Sequence, residues 1–287
     1  MKIQKNRLLI TLGFLLAALS LPRAQAAISE IEFNGVIDEL EAAYAPLVSA
    51  QGGHLVAWRQ WGNNAIAADS SQPFFAPGQW VILFTGGLAR TPEMTRDAFT
   101  LIACHEMGHH LGGFPNGGIF KNLSVEGEAD YYATHVCTHK LWKNEREQNA
   151  QSARLVDAYA KKLCDQVWPT EDERNLCYRA TVATQAMWNT KAHLLGSAQP
   201  QFNTPNLRVV PYYTETDHPE LQCRMDTSLQ GALCTAAFDE TKISGKHSRG
   251  DSAELEMAAQ SCTPFSHYQV GLRPRCWFLP HASGMYP

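Results

Sequence analysis

The sequence predicts an α+β fold, a small sheet followed by a helical body. Two patterns carry this. Three short runs rich in β-formers fall between residues 55 and 85, and apolar residues recur at helical spacing through most of the chain beyond residue 93. Composition sets the scale: 287 residues, 45% apolar and 18% charged, are enough to bury one full core.

In chain order, Ile31, Val36, Ile37, Leu40 and Ala43 mark a helix over 28–44, which Pro46 should end. Residues 55–61 and 65–68 read as short strands joined through Gly62-Asn63-Asn64. Residues 80–85 form a third strand, stopped by Gly86-Gly87, in the same sheet. A helix over 93–111 closes at Gly112-Gly113, and a second runs from 125 to about 147 with Ser124 as N-cap. Residues 152–164 form another, and Thr170 with Glu173 makes a capping box for a helix that stops at Gly196. A Pro- and Asn-rich loop covers 199–218, and a short helix covers 226–238. The expected organisation is a signal peptide over 1–26, one domain over 27–240, and a loop-rich, cysteine-containing appendage over 241–287 packed on it.

The signal peptide rests on Lys2, Lys5 and Arg7 ahead of an apolar run over 8–19, then Ala24-Gln25-Ala26 as a cleavage site. The run is about a dozen residues where a bilayer span needs roughly 20. The expected location is therefore periplasmic or secreted, with no integral membrane segment after cleavage. Removing four basic residues leaves 20 basic against 28 acidic, a net charge of −8, which argues against nucleic acid as a partner. All eight cysteines lie beyond residue 26, and an even number in an exported chain points to disulfides. Cys223 with Cys234 and Cys262 with Cys276 are the simplest pairings; no C-x-x-C pair suggests a thiolate zinc site.

His105-Glu106-Met107-Gly108-His109 sits inside the 93–111 helix, where i, i+4 spacing stacks both imidazoles on one face. They can hold one metal ion, and zinc suits neutral imidazole; Glu106, beside them, can act as general base. A catalytic zinc needs a third protein ligand and one open position. Glu126, at the start of the next helix, is the preferred candidate, and Glu128 the rival pointing away from it. Asp130, one turn beyond Glu126, can accept the N–H of a ligating histidine. His135 and His139 repeat the spacing without a catalytic Glu, and they read as an exposed or mixed helix face. His110 reads as solvent-facing or beside the metal ligands, and Cys104 as paired or buried.

His105-Glu-Met-Gly-His109 followed by Glu126-Gly-Glu-Ala-Asp130 resembles the HExxH plus ExxxD signature of gluzincin metallopeptidases, specifically the M48 family. Asn64-Ala65 ahead of the 81–85 strand and Gly87-Leu88 is similar to that family's upstream segment. His218-Pro219 with Arg224 resembles its histidine-proline motif. The resemblance implies a zincin-like fold and one Zn2+ held by His105, His109 and Glu126. It implies Glu106 as general base, Asp130 and Arg224 supporting the ligands, His218 facing the reacting carbonyl, and Asn64 and Ala65 as a substrate-binding edge. The short interval between His109 and Glu126, the absence of the usual membrane helices and the eight cysteines suggest a soluble, exported branch. The expected function is an exported zinc endopeptidase acting on peptides or unfolded proteins. The alternative is a periplasmic binding or quality-control protein with a structural zinc, whose fourth ligand would be a Cys or His.

Overall fold

The computed structural model describes residues 27–117 and 122–280. The expected signal peptide lies outside the described residues. Helix α1 (Glu30–Ala50) starts at Ser29, whose side chain and that of Glu32 form a reciprocal capping box. It continues through Pro46, past the end its sequence suggests, because Val48 beyond the proline is fully buried and packing holds the last turn.

One three-stranded sheet follows: β1 (His54–Gln60), β2 (Ala68–Ser71) and β3 (Gln79–Thr85), in the order β1-β3-β2. β3 is central, parallel to β1 and antiparallel to β2, so β2 pairs with β3 and not with its sequence neighbour. β2 also begins at Ala68, where the sequence suggested 65. The residues just before it are used otherwise. The Thr85 hydroxyl lies 2.7 Å from the Ala65 carbonyl, and the Asn64–Ala65 backbone presses on Gly87, where a Cβ would meet the Ala65 oxygen at 2.1 Å. The side of β2 away from β3 carries no strand among the described residues.

A one-turn helix, α2 (Gly86–Ala89), leads to α3 (Arg96–Leu111), the buried central rod, which packs on α1 and the sheet. Its N-cap is Thr95, later than expected, because Glu93 has φ 72°, outside the helical region. The next rod is α4 (Glu126–Tyr132), a π-turn (Ala133–Cys137) and α5 (Thr138–Trp142). Val125 is its N-cap position, since the Ser124 hydroxyl donates to the Gly113 carbonyl instead. The rod ends at Trp142 rather than near 147. The Trp142 carbonyl accepts from the Glu145 amide and the Asn149 side chain, forming a turn, and buried Arg179 holds Glu145 and Asp97 together across it.

Helix α6 (Arg146–Gln151) and a 3-10 turn (Ser152–Arg154) precede α7 (Ala158–Val167), which Asp157 caps. Helix α8 (Glu171–Leu195) has the expected capping box and ends at Gly196 with φ 62°. Helix α9 (Leu221–Ala232) begins earlier than the sequence suggested. Helix α10 (Gly250–Ala258), in the segment read as loop-rich, contributes Ala253 and Met257 to a small core with Trp277 and Phe278.

All eight cysteines are paired: Cys104–Cys137, Cys164–Cys177, Cys223–Cys276 and Cys234–Cys262. The expected Cys223–Cys234 and Cys262–Cys276 pairs do not form. Cys223 lies in the first turn of α9 and Cys234 past its end, so helical rise separates them by roughly 16 Å, far beyond disulfide reach of about 7 Å. Each instead bonds to the C-terminal segment and staples it to the body. Among the described residues no helix is long and apolar enough to cross a membrane. Four disulfides fit an oxidising, extracellular compartment.

Candidate metal centre

Helices α3 and α4 can meet closely because of one glycine. A Cβ on Gly108 would fall 2.7 Å from the Ala129 carbonyl and 2.8 Å from its Cα. The contact sits between His105 and His109 on one rod and between Glu126 and Asp130 on the other, so it brings the two functional faces together. The Cys104–Cys137 disulfide clamps the same pair of rods one residue from His105.

His105 Nε2 and His109 Nε2 lie 3.1 Å apart. The Glu126 carboxylate closes the triangle, with Oε2 at 3.3 Å from His105 Nε2 and Oε1 at 3.6 Å from His109 Nε2. These three are the only His, Cys, Asp or Glu side chains among the described residues that form such a cluster. The outer nitrogens are already engaged. His105 Nδ1 lies 2.8 Å from Asp130 Oδ1, and His109 Nδ1 lies 2.8 Å from the Ser124 carbonyl. Both contacts need an N–H donor, which leaves each Nε2 lone pair aimed at the common centre. Two lone pairs and a carboxylate facing one point repel one another unless a cation sits between them. Two imidazoles and a carboxylate are a donor set that suits zinc, so the residues present fit the metal the sequence implies.

The titration behaviour agrees. Burial disfavours a charged His105, but Asp130 and then Glu126 outweigh it and push its pKa up to about 10. Burial, helped by His105, lowers His109 to about 4, so it stays neutral. Burial opposes ionisation of Glu126, yet its contacts with His105 and Arg224 hold its carboxyl well below the usual carboxylate range. Arg224, from α9, reaches Glu126 Oε2 at 2.9 Å and grips Asp130 with two hydrogen bonds of 2.7 and 2.9 Å. It lies over the Trp188 ring of α8 at 4.5 Å. Every ligand is thus held by a second, buried group.

The cluster forms part of one wall of a cavity of about 480 Å³, bordered by β2, α8 and the loop before α9. Glu106 faces the same space. Burial raises its carboxyl to about 7 against the lowering influence of His105 and Ser70. Ser70 on β2 places its hydroxyl 2.7 Å from Glu106 Oε2 and 2.8 Å from the Glu106 carbonyl. His218 stands at the rim, its side chain 72% exposed, with Nε2 at 3.2 Å from Glu126 Oε1.

Of the residues singled out in the sequence, His105, Glu106, His109, Glu126, Asp130, His218 and Arg224 converge here. Asn64 and Ala65 do not line the cavity. Asn64 accepts from Arg90 at 2.6 Å, and the residues of this segment that border the space are Ile66, Ala67, Ala68, Asp69 and Ser70. Glu128 points away and forms a buried ion pair with Arg273 at 2.7 Å. His110, read as solvent-facing or beside the ligands, is buried; its Nε2 lies 3.0 Å from the Val81 carbonyl and its ring stacks on Trp80. His135, read as part of an exposed or mixed face, is buried under Phe238 and Tyr131. Ser70, Ser124 and Gly108 carry site geometry that the sequence reading did not assign to them. Only Gly108 had a signal, its place between the two histidines.

No known protein family matches the chain, and comparison with curated proteins and with solved structures likewise finds no match.

Proposed function

We propose that this chain is an exported zinc endopeptidase with a zincin-like active site of the M48 type, acting on peptides or unfolded proteins. The observation that carries the reading is the convergence of His105 Nε2, His109 Nε2 and Glu126 on one point in a cavity wall, with Glu106 in the same cavity. His105, His109 and Glu126 would hold the ion. When bound, zinc supplies Lewis acidity at neutral pH. Glu106, facing the same cavity beside His105, accepts the proton of the attacking water and delivers it to the leaving amine. His218 at the rim can donate a hydrogen bond to the carbonyl oxygen as charge develops there, a contribution of about 3–4 kcal/mol. The outer edge of β2, which no strand covers among the described residues, can pair with an extended substrate backbone.

The structural-zinc alternative needs a fourth protein ligand. Every cysteine is in a disulfide, and no further His, Cys, Asp or Glu joins the cluster among the described residues, which favours an open fourth position. Periplasmic or secreted location belongs to the same proposal and is supported by the four disulfides; cleavage after residue 26 is proposed with it on the sequence pattern alone. The test is a peptide-library digest by the zinc-loaded mature chain beside Glu106→Gln. The wild type should cut and the variant should keep its zinc but lose turnover; equal cleavage by both, or none by either, refutes the reading.

A further inference from the structure

We propose that Ser70 is a positioning residue for the general base: its hydroxyl fixes the Glu106 carboxylate relative to the edge strand along which substrate lies. The inference rests on the peptidase reading for its kinetic consequences, and on geometry alone for the role itself.

Glu106 is buried, and the Ser70 hydroxyl is the hydrogen bond its carboxylate makes within the described structure, at 2.7 Å. The same hydroxyl lies 2.8 Å from the Glu106 carbonyl, so it touches both ends of the residue and limits rotation about the side-chain torsions between them. A carboxylate with no second hydrogen bond among the described residues, bordering a cavity of about 480 Å³, has room to swing once that contact is lost. Ser70 is also part of β2, the edge strand of the sheet, whose outer side carries no strand among the described residues. A peptide added to that edge takes its register from the β2 backbone. The base takes its orientation from a β2 side chain. One strand thus sets both the position of the scissile carbonyl and the position of the group that moves the proton, and a displacement near 1 Å in such an arrangement costs up to about 100-fold in rate.

This gives Ser70 a signature distinct from that of a residue needed only for folding or for substrate affinity. Ser70→Ala should lower kcat by about 10- to 100-fold with KM within about twofold, at unchanged zinc content and melting temperature. Ser70→Thr, which keeps a hydroxyl on a strand that favours β-branched residues, should recover most of the loss. The readout independent of turnover is a crystal structure of zinc-loaded Ser70→Ala, where the Glu106 carboxylate should leave its wild-type orientation or occupy more than one. An unmoved carboxylate overturns the proposal whether or not the chain cuts peptides. With an active wild type, an unchanged kcat, a change in KM alone, or failure of Ser70→Thr to restore turnover does the same. An inactive wild type refutes the peptidase reading, and the crystallographic arm still decides the role of Ser70. Should Ser70→Ala fold poorly, Ser70→Cys, with its weaker donor, replaces it in both arms.

Discussion

Two histidine pairs share i, i+4 spacing in this chain, and among the described residues only one of them joins a carboxylate in a cluster that could hold a metal ion. His105 and His109 lie on the regular helix α3. His135 lies in the π-turn Ala133–Cys137 and His139 in α5 just beyond it. The first pair has its outer nitrogens engaged by Asp130 and Ser124 and both inner nitrogens facing Glu126 and a cavity. In the second, His135 Nε2 bonds the Ala236 carbonyl at 2.9 Å and His139 packs against Trp168. Spacing on a helix does not by itself make a metal grip. What completes it is a carboxylate delivered from another element and second partners that fix each ring.

Removing the delivered carboxylate should break the contrast most. Glu126→Gln is expected to lower zinc affinity by more than the roughly 10- to 100-fold seen for outer partners, while His135→Gln and His139→Gln keep full zinc content; chelator competition measures both. Next in size is the clamp between the rods. Cys104→Ala with Cys137→Ala removes a buried disulfide of sequence separation 33 and should cost about 2–5 kcal/mol in denaturant unfolding, with a parallel loss of zinc affinity. Removing Cys164–Cys177, which joins α7 to α8 and touches neither end of the α3–α4 clamp, should cost stability and leave zinc affinity unchanged. Gly108→Ala should follow: overpacking against Ala129 costs about 1–3 kcal/mol and forces Glu126 away from the imidazoles, so zinc affinity falls even where the fold survives.

The second pair has its own, smaller signature in pH. Burial lowers His135 to about 3 and His139 to about 4, and it lowers His110 to about 4 as well. The unfolded chain protonates these groups near the ordinary value of 6.5, so between that value and about 4 the unfolded state binds more protons. Stability contributed by the neutral, buried rings is present above pH 6.5 and is lost as the pH falls toward 4. Urea midpoints measured from pH 7 downward should decline through this window, and His135→Phe should shrink the decline.

Much of the site was legible because it depends on local spacing. His105, Glu106, His109, Glu126 and Asp130 follow from helical geometry and the chemistry of their side chains, and α8 was bounded by its capping box and Gly196. What the sequence could not supply is long-range pairing. β2 pairs with β3 because the Asn64–Ala65 backbone is engaged by Thr85 and Gly87, contacts that no periodicity reveals. Cys223 and Cys234 were mispaired because nearness in sequence ignores helical rise, and their true partners, Cys276 and Cys262, are thereby unavailable to each other. Ser70 gave no signal, since a serine in a short strand is ordinary until Glu106 lies against it.

X-ray absorption on the zinc-loaded chain tests the central claim most directly. It should show one zinc per chain with two imidazole nitrogens at about 2.0–2.1 Å, oxygen from Glu126 and a non-protein oxygen in the fourth position, and the Glu126→Gln variant should lose this spectrum. Sulfur scattering near 2.3 Å, a fourth protein ligand, or an unaltered spectrum in Glu126→Gln would contradict it.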